Sequence, residues 1–181
     1  MNTRHPPTPV SATPFYAADS YVASGEGVGH LMSRAFNLLA QELERQFEPS
    51  GLTNAQWKPL FKLSVGEVST VAELARVCLQ DAGGMTRMLD RLEAKGLCQR
   101  SRSNEDRRVV NLEITDAGRE AAKVIPEVLS RVQNAYLAGF SVEEWEALKS
   151  YLRRMIDNAQ DFQQAQQAQQ APSAAGPQNA S

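Results

Sequence analysis

One stretch, GLCQRSRSNEDRRVVNLEIT at 96–115, constrains the fold of this chain more than any other. In it Val110, Leu112 and Ile114 alternate with Val109, Asn111 and Glu113 at the period of a β-strand, and the polar SNED before them reads as the turn of a small hairpin. Nearly everything around it reads as helix. Capping boxes are available at Thr53 with Gln56, Thr70 with Glu73, and Ser141 with Glu144, each followed by helical apolar spacing. Asp81 supplies a fourth helix start, because its carboxylate can accept from the free amides that open AGGMTRMLDRLEAKG, and Gly96 supplies a left-handed stop. A strand pair placed directly after a short capped helix leaves few architectures.

The first helix, VGHLMSRAFNLLAQELERQF, carries Val28, Met32, Ala35, Leu39 and Leu43 on one face and Leu31 and Leu38 on a second, so it needs more than one partner. After Thr115, helix resumes through Ala121, Val124, Val128, Leu129 and Val132, with a kink expected at Pro126. Ser141 starts a last helix carrying Trp145, Leu148, Leu152, Met155 and Ile156. Residues 1–22, with four prolines among Thr, Ser and Ala, read as a flexible arm, and the Gln/Ala-rich 161–181 as a disordered tail. The length of 181 residues with 42% hydrophobic content suits one ordinary domain between them.

On a helical wheel, residues 82–95 place Met85, Met88, Leu89 and Leu92 on one side and Gly83, Arg87, Asp90, Arg91 and Ala94 on the other. Alone, that second face is compatible with an ordinary solvated helix or with a helix entering a DNA major groove. The bare AGG turn allows close backbone approach, and free amides there favour phosphate oxygens. Charge distribution favours DNA. The whole chain has a formal net charge of −2, yet residues 82–108 sum to +3 and the remainder to −5. Cationic charge is thus concentrated where a helix meets a hairpin, the footprint of a winged helix-turn-helix.

The string VAELARVCLQDAGGMTRMLDRLEAKGL followed by RSRSNEDRRVVNLEITDAG resembles the multiple antibiotic resistance regulator (MarR) family of bacterial transcription factors, over about 52–118. Its most specific part is the wing pattern Asp106, Arg107, Arg108, then a leucine-containing strand, Thr115 and Gly118. The resemblance implies a mainly α fold with a small β-hairpin wing, a winged helix-turn-helix at 53–115, and helical dimerisation regions at 23–50 and 116–160. It implies a homodimer on a pseudo-palindromic DNA operator, often repressing transcription. Gly83, Gly84, Thr86 and Arg87 would then face the major groove, with Arg91, Arg102 and Asn104 also on the DNA side. Asp106 would orient Arg108 toward the minor groove, and Arg107 would meet phosphate. The two glycines depart from the polar residues common in the family, which shifts base reading toward Arg87. The resemblance also implies a pocket for a small aromatic or phenolic acid, for which His30, Arg34 and Trp57 are candidates; core packing is the competing role for His30 and Trp57.

Three other functions remain to be weighed. A redox-sensing regulator would act through Cys98, near Arg100 and Arg102, whereas Cys78 occupies a core position of its helix; inert thiols are expected. Two Cys and two His at these spacings make no familiar metal site, and no phosphate-binding glycine loop is present, so no enzyme, metal or cofactor is expected. A helical protein-interaction adaptor would leave the wing arginines unexplained. No apolar run approaches the roughly 18 to 20 residues of a membrane helix, and the first residues lack the apolar core of a signal peptide, so a cytoplasmic location is expected.

Overall fold

The capping signals become helix starts. The computed structural model describes residues 15–18, 26–102 and 109–170. Its elements are α1 (Val28–Phe47), a 3-10 turn at Glu48–Ser50, α2 (Asn54–Ser64), α3 (Val71–Cys78), α4 (Ala82–Ala94), β1 (Cys98–Arg102), β2 (Val110–Ile114), α5 (Asp116–Ala122), α6 (Val124–Tyr136) and α7 (Val142–Gln170). The Glu73 amide donates to the Thr70 hydroxyl at 3.2 Å while Glu73 accepts from the Thr70 amide at 3.1 Å. Ser141 and Glu144 exchange the same pair of bonds at 3.2 and 2.8 Å. Gln56 accepts from the Thr53 amide at 3.2 Å.

The chain falls into two compact units, one ending at Leu129 and the other beginning at Ser130. In the first, α2 is the hub, packing against α1, α3, α4, α5 and β2. Phe47, Leu60, Leu74, Met85, Leu89, Leu92 and Ile125 are fully buried there. Each such side chain contributes roughly 1.5 to 3 kcal/mol of burial. In the second unit, α7 has no buried residue along its 29 positions.

Strand β1 pairs antiparallel with β2, Cys98 opposite Ile114 and Arg102 opposite Val110, as the alternation predicts. On its other side β2 receives the segment before α3: the Leu112 amide donates to the Ser69 carbonyl at 2.8 Å and Asn111 bridges Thr70. The hairpin base is closed by one clasp. Gly96, at φ +68°, ends α4, with its own amide on Glu93 and the Leu97 amide on Leu92, which satisfies the last carbonyls. The Thr115 hydroxyl donates to the Gly96 carbonyl at 2.6 Å and accepts from the Gly118 amide at 3.0 Å. A Cβ on Gly118 would stand 1.9 Å from the Leu97 carbonyl oxygen, so only glycine lets α5 approach the strand this closely.

Two sequence expectations change. Instead of kinking one helix, Pro126 accompanies a full break: α5 ends at Ala122, Lys123 forms a tight turn with its amide on Glu120 at 3.2 Å, and α6 restarts at Val124. Proline at the third position of α6 has no amide to offer Ala122, so the helix ends before it rather than bending through it. The last helix also runs past 160 to Gln170, since Gln and Ala are good helix formers and nothing in QQAQQAQQ breaks the pattern. Residues 1–14, 19–25, 103–108 and 171–181 lie outside the described residues, and with them most of the expected arm and the end of the expected tail.

Candidate nucleic-acid interface

Helices α3 and α4 pack on each other through a tight turn. The turn is made by Leu79, a non-glycine residue at φ +55°, whose amide reaches back to the Arg76 carbonyl while the Gln80 amide reaches Ala75. Asp81 then opens α4 by accepting the Gly84 amide at 2.8 Å. That bond, with smaller help from the Gly83 amide and Arg87, holds the Asp81 carboxyl below the usual range. The cap expected from the sequence is thus present, with one amide of the helix start taken by the chain's own carboxylate.

The wheel divides α4 as expected. Met85, Met88, Leu89 and Leu92 are buried, while Gly83, Thr86, Arg87, Asp90 and Arg91 are exposed and Gly84 is half-buried. Thr86 returns its hydroxyl to the Ala82 carbonyl at 2.8 Å, and the Arg91 Nε donates to the Arg87 carbonyl at 3.2 Å.

The cations counted from the sequence do not act alike. Arg100 on β1 grips α4: its Nε donates to Glu93 at 2.7 Å, its Nη2 to Asp90 at 2.5 Å, and its backbone amide to Glu93 at 2.7 Å. These two carboxylates hold the guanidinium firmly charged. Lys95 points the other way, donating to the Gly51 carbonyl at 2.6 Å and to Gln56 at 2.8 Å, and so ties the end of α4 to the start of α2. Neither structural role was foreseen, although two acids three residues apart on α4 followed by an arginine in the next strand were a visible signal. Arg87, Arg91 and Arg102 are exposed, and none is ion-paired among the described residues. Asn104, Asp106, Arg107 and Arg108, the candidates at the wing tip, lie outside the described residues.

The candidate ligand residues separate. His30 and Arg34 are exposed on α1, one turn apart, and line a shallow groove with Ser33, Asn37, Leu38 and Gln41. Trp57 lies elsewhere in the first unit. Its ring stacks on Phe47 with centroids 6.4 Å apart, and its indole N–H donates to Asn54 at 3.1 Å, so its partners are structural. Cys98 is buried, and burial, reinforced by Glu93 and opposed by Arg100, pushes its thiol up to about 11. Burial also raises the Cys78 thiol. Both thiols are kept protonated near neutral pH, which disfavours redox chemistry.

Each end of the chain carries exposed apolar side chains: Val28, Leu31, Met32, Phe36 and Leu38 on α1, and Trp145, Leu152, Met155, Ile156 and Phe162 on α7. Among the described residues no helix is long and apolar enough to cross a membrane.

Comparison with known proteins bears on this arrangement. The family model described as MarR family matches residues 52–110. The chain is 31% identical over 126 residues to YwoH of Bacillus subtilis, an HTH-type transcriptional regulator, covering 70% of this chain and 90% of that protein. It is also similar to a mutant MarR from E. coli crystallised with operator DNA, at 26% identity and a TM-score of 0.66, covering 70% of this chain and 91% of that one. Its fold is that of Bordetella bronchiseptica BpsR, whose DNA binding is regulated by 6-hydroxynicotinic acid, at 24% identity and a TM-score of 0.67, covering 76% and 98% of the two chains.

Proposed function

The chain belongs to the MarR family of DNA-binding transcriptional regulators, and from that premise we propose that it is a cytoplasmic repressor that grips a pseudo-palindromic operator as a homodimer and is released by a small aromatic or phenolic acid. The observation that carries the DNA assignment is the exposed pair Arg87 and Arg91 on α4, neither ion-paired among the described residues, beside a hairpin whose base is locked to that helix through Arg100. Gly83, Gly84, Thr86, Arg87 and Arg91 face the major groove in this reading. Arg102, Asn104, Asp106, Arg107 and Arg108 belong to the wing, which follows the backbone and the minor groove. Residues 53–115 form the reading head, and 23–50 with 116–160 form the dimerisation helices, whose exposed apolar faces favour a second copy as partner. Half-sites about one helical turn apart suit such a dimer.

The inducer reading draws support from BpsR and from the shallow groove where Arg34 stands one turn from His30, since a guanidinium suits a carboxylate. Trp57 stacks on Phe47 and donates to Asn54, which favours its packing role over that of a wall for the acid. Binding of duplexes selected by the purified protein, measured against salt, tests the DNA assignment. Arg87→Ala is expected to cost about 1 to 3 kcal/mol and relax preference at particular bases, while Arg108→Ala weakens binding to all sequences and flattens the salt dependence. Equal losses on every sequence for both variants would contradict these roles.

A further inference from the structure

Helix α4 is held along its length and at its far end by different physics. Its buried side chains Met85, Met88, Leu89 and Leu92 fix it to the core by apolar contact, which has no preferred direction and lets packed helices slide and turn by small amounts. Directional bonds enter at its last position, Lys95. The Lys95 ammonium donates to the Gly51 carbonyl at 2.6 Å and to Gln56 at 2.8 Å. Neither acceptor is loose. Gly51 turns at φ +70° between the 3-10 turn and α2. Gln56 is the one buried polar residue among the described residues, and its side-chain oxygen also accepts the Thr53 amide at 3.2 Å. The next amide, that of Asn54, is held by Glu44 of α1 at 2.5 Å. A run of bonds thus leads from α1 through the start of α2 to the end of the helix that carries Arg87 and Arg91. Arg87 stands eight residues before Lys95, about 12 Å of helix, so a small change of tilt or turn at the anchored end is carried to its guanidinium.

We propose that Lys95 is a positioning residue for DNA recognition: by anchoring α4 on the α1–α2 junction it sets the pose in which Arg87 and Arg91 meet base edges, and it makes no DNA contact of its own. Without the anchor the helix stays packed and its other cations stay exposed, so attraction to phosphate in general survives. What is lost is the alignment that a bidentate contact to a base demands. A positive charge that belongs to the cationic footprint by count therefore acts on selectivity rather than on attraction. This inference rests on the DNA assignment above and deepens it by naming a residue that acts through Arg87.

The test compares the full chain with Lys95→Met, which keeps the aliphatic stem and removes the ammonium, while Gln56 keeps the Thr53 amide and α2 its cap. Affinity is measured across a salt series for a random duplex and for the duplex the wild-type protein selects best, with thermal melting beside it. The selected duplex should lose about three- to tenfold, the order of coupling through a residue that touches no ligand, and the random duplex should lose little. The slope of log affinity against log salt should stay at the wild-type value, since no phosphate contact goes. In an Arg87→Ala background the same substitution should cost the selected duplex less, because the group it aligns is already absent. A slope lower by about one would make Lys95 a phosphate contact and overturn the proposal. Unchanged affinity for both duplexes, with or without a lower melting temperature, would leave a purely structural role and overturn it too. So would an equal loss on both duplexes, or a loss undiminished without Arg87. A wild-type chain whose DNA binding is indifferent to Arg87→Ala and Arg91→Ala would instead overturn the DNA assignment itself, a result the Lys95 variant cannot imitate.

Discussion

The reading head and the first helix use the same residue types in opposite ways. In α4 the four large apolar residues are all buried, and among its neighbouring cations Arg100 and Lys95 have named structural partners. Along α1 only Leu43 and Phe47 are buried, while Val28, Leu31, Met32, Phe36 and Leu38 stay exposed. A segment that closes its own packing can hold a surface rigid enough to read another molecule. A segment that leaves much of its apolar surface exposed offers that surface to a partner. The difference also sets where substitutions should hurt.

Two glycines give the largest expected contrast. Gly118 sits where a side chain would strike the backbone oxygen of Leu97 and the Ile114 side chain, and backbone cannot swing aside as a flexible side chain can. Gly118→Ala is expected to lower stability by about 3 kcal/mol, the upper end of overpacking costs, and to loosen the hairpin base. Gly29 in α1 has nothing within 4 Å of the same construction. Gly29→Ala should be neutral or add roughly 0.5 to 1 kcal/mol through helix propensity. Chemical denaturation of both variants checks the pair, and a similar loss at the two positions would break the contrast.

The same contrast explains what could be read in advance. Local devices were legible: the boxes at Thr70 and Ser141, the cap at Asp81, the left-handed Gly96 and the strand alternation all depend on residues a few positions apart. Long-range pairing was not. That Arg100 would turn inward to Asp90 and Glu93, and Lys95 to Gln56 and Gly51, depends on which elements meet in space, so a charge count over 82–108 overstated the cations available to a ligand. The stacking of Trp57 on Phe47 likewise depends on a contact across a helix junction, and it agrees with the core-packing role weighed for that residue. The break at Lys123 was missed by assuming that proline bends a helix, when at the third helical position it fits a fresh start.

A smaller effect is expected at the one strained non-glycine position among the described residues. Leu79 holds φ +55° with its side chain 89% exposed, so the left-handed conformation is not repaid by burial. Leu79→Gly should stabilise the chain by about 1 kcal/mol, the order of the left-handed penalty for a residue with a Cβ. If the melting temperature falls instead, the Leu79 side chain makes a contribution to the turn that outweighs its strain.

The smallest effect separates the regions by pH. The two cysteines lie at the end of α3 and the start of β1, and α1 and α7 contain none. Burial raises the Cys98 thiol from 9.0 to about 11, so the fold favours the protonated form. Below about pH 9 the thiol is protonated in folded and unfolded chains alike and contributes no pH dependence. As pH rises from about 9 toward 11, the unfolded chain releases this proton while the folded chain keeps it, and stability must fall across that window. The measurement is a difference: denaturation midpoints at pH 8 and pH 10 for wild type against Cys98→Ala. The wild-type decline should be the steeper, and in the native state at pH 8 Cys98 should resist alkylation by iodoacetamide. Equal declines with rapid native alkylation would show that the hairpin base opens to solvent, and the winged region would then lose the closure that distinguishes it from the uncovered face of α1.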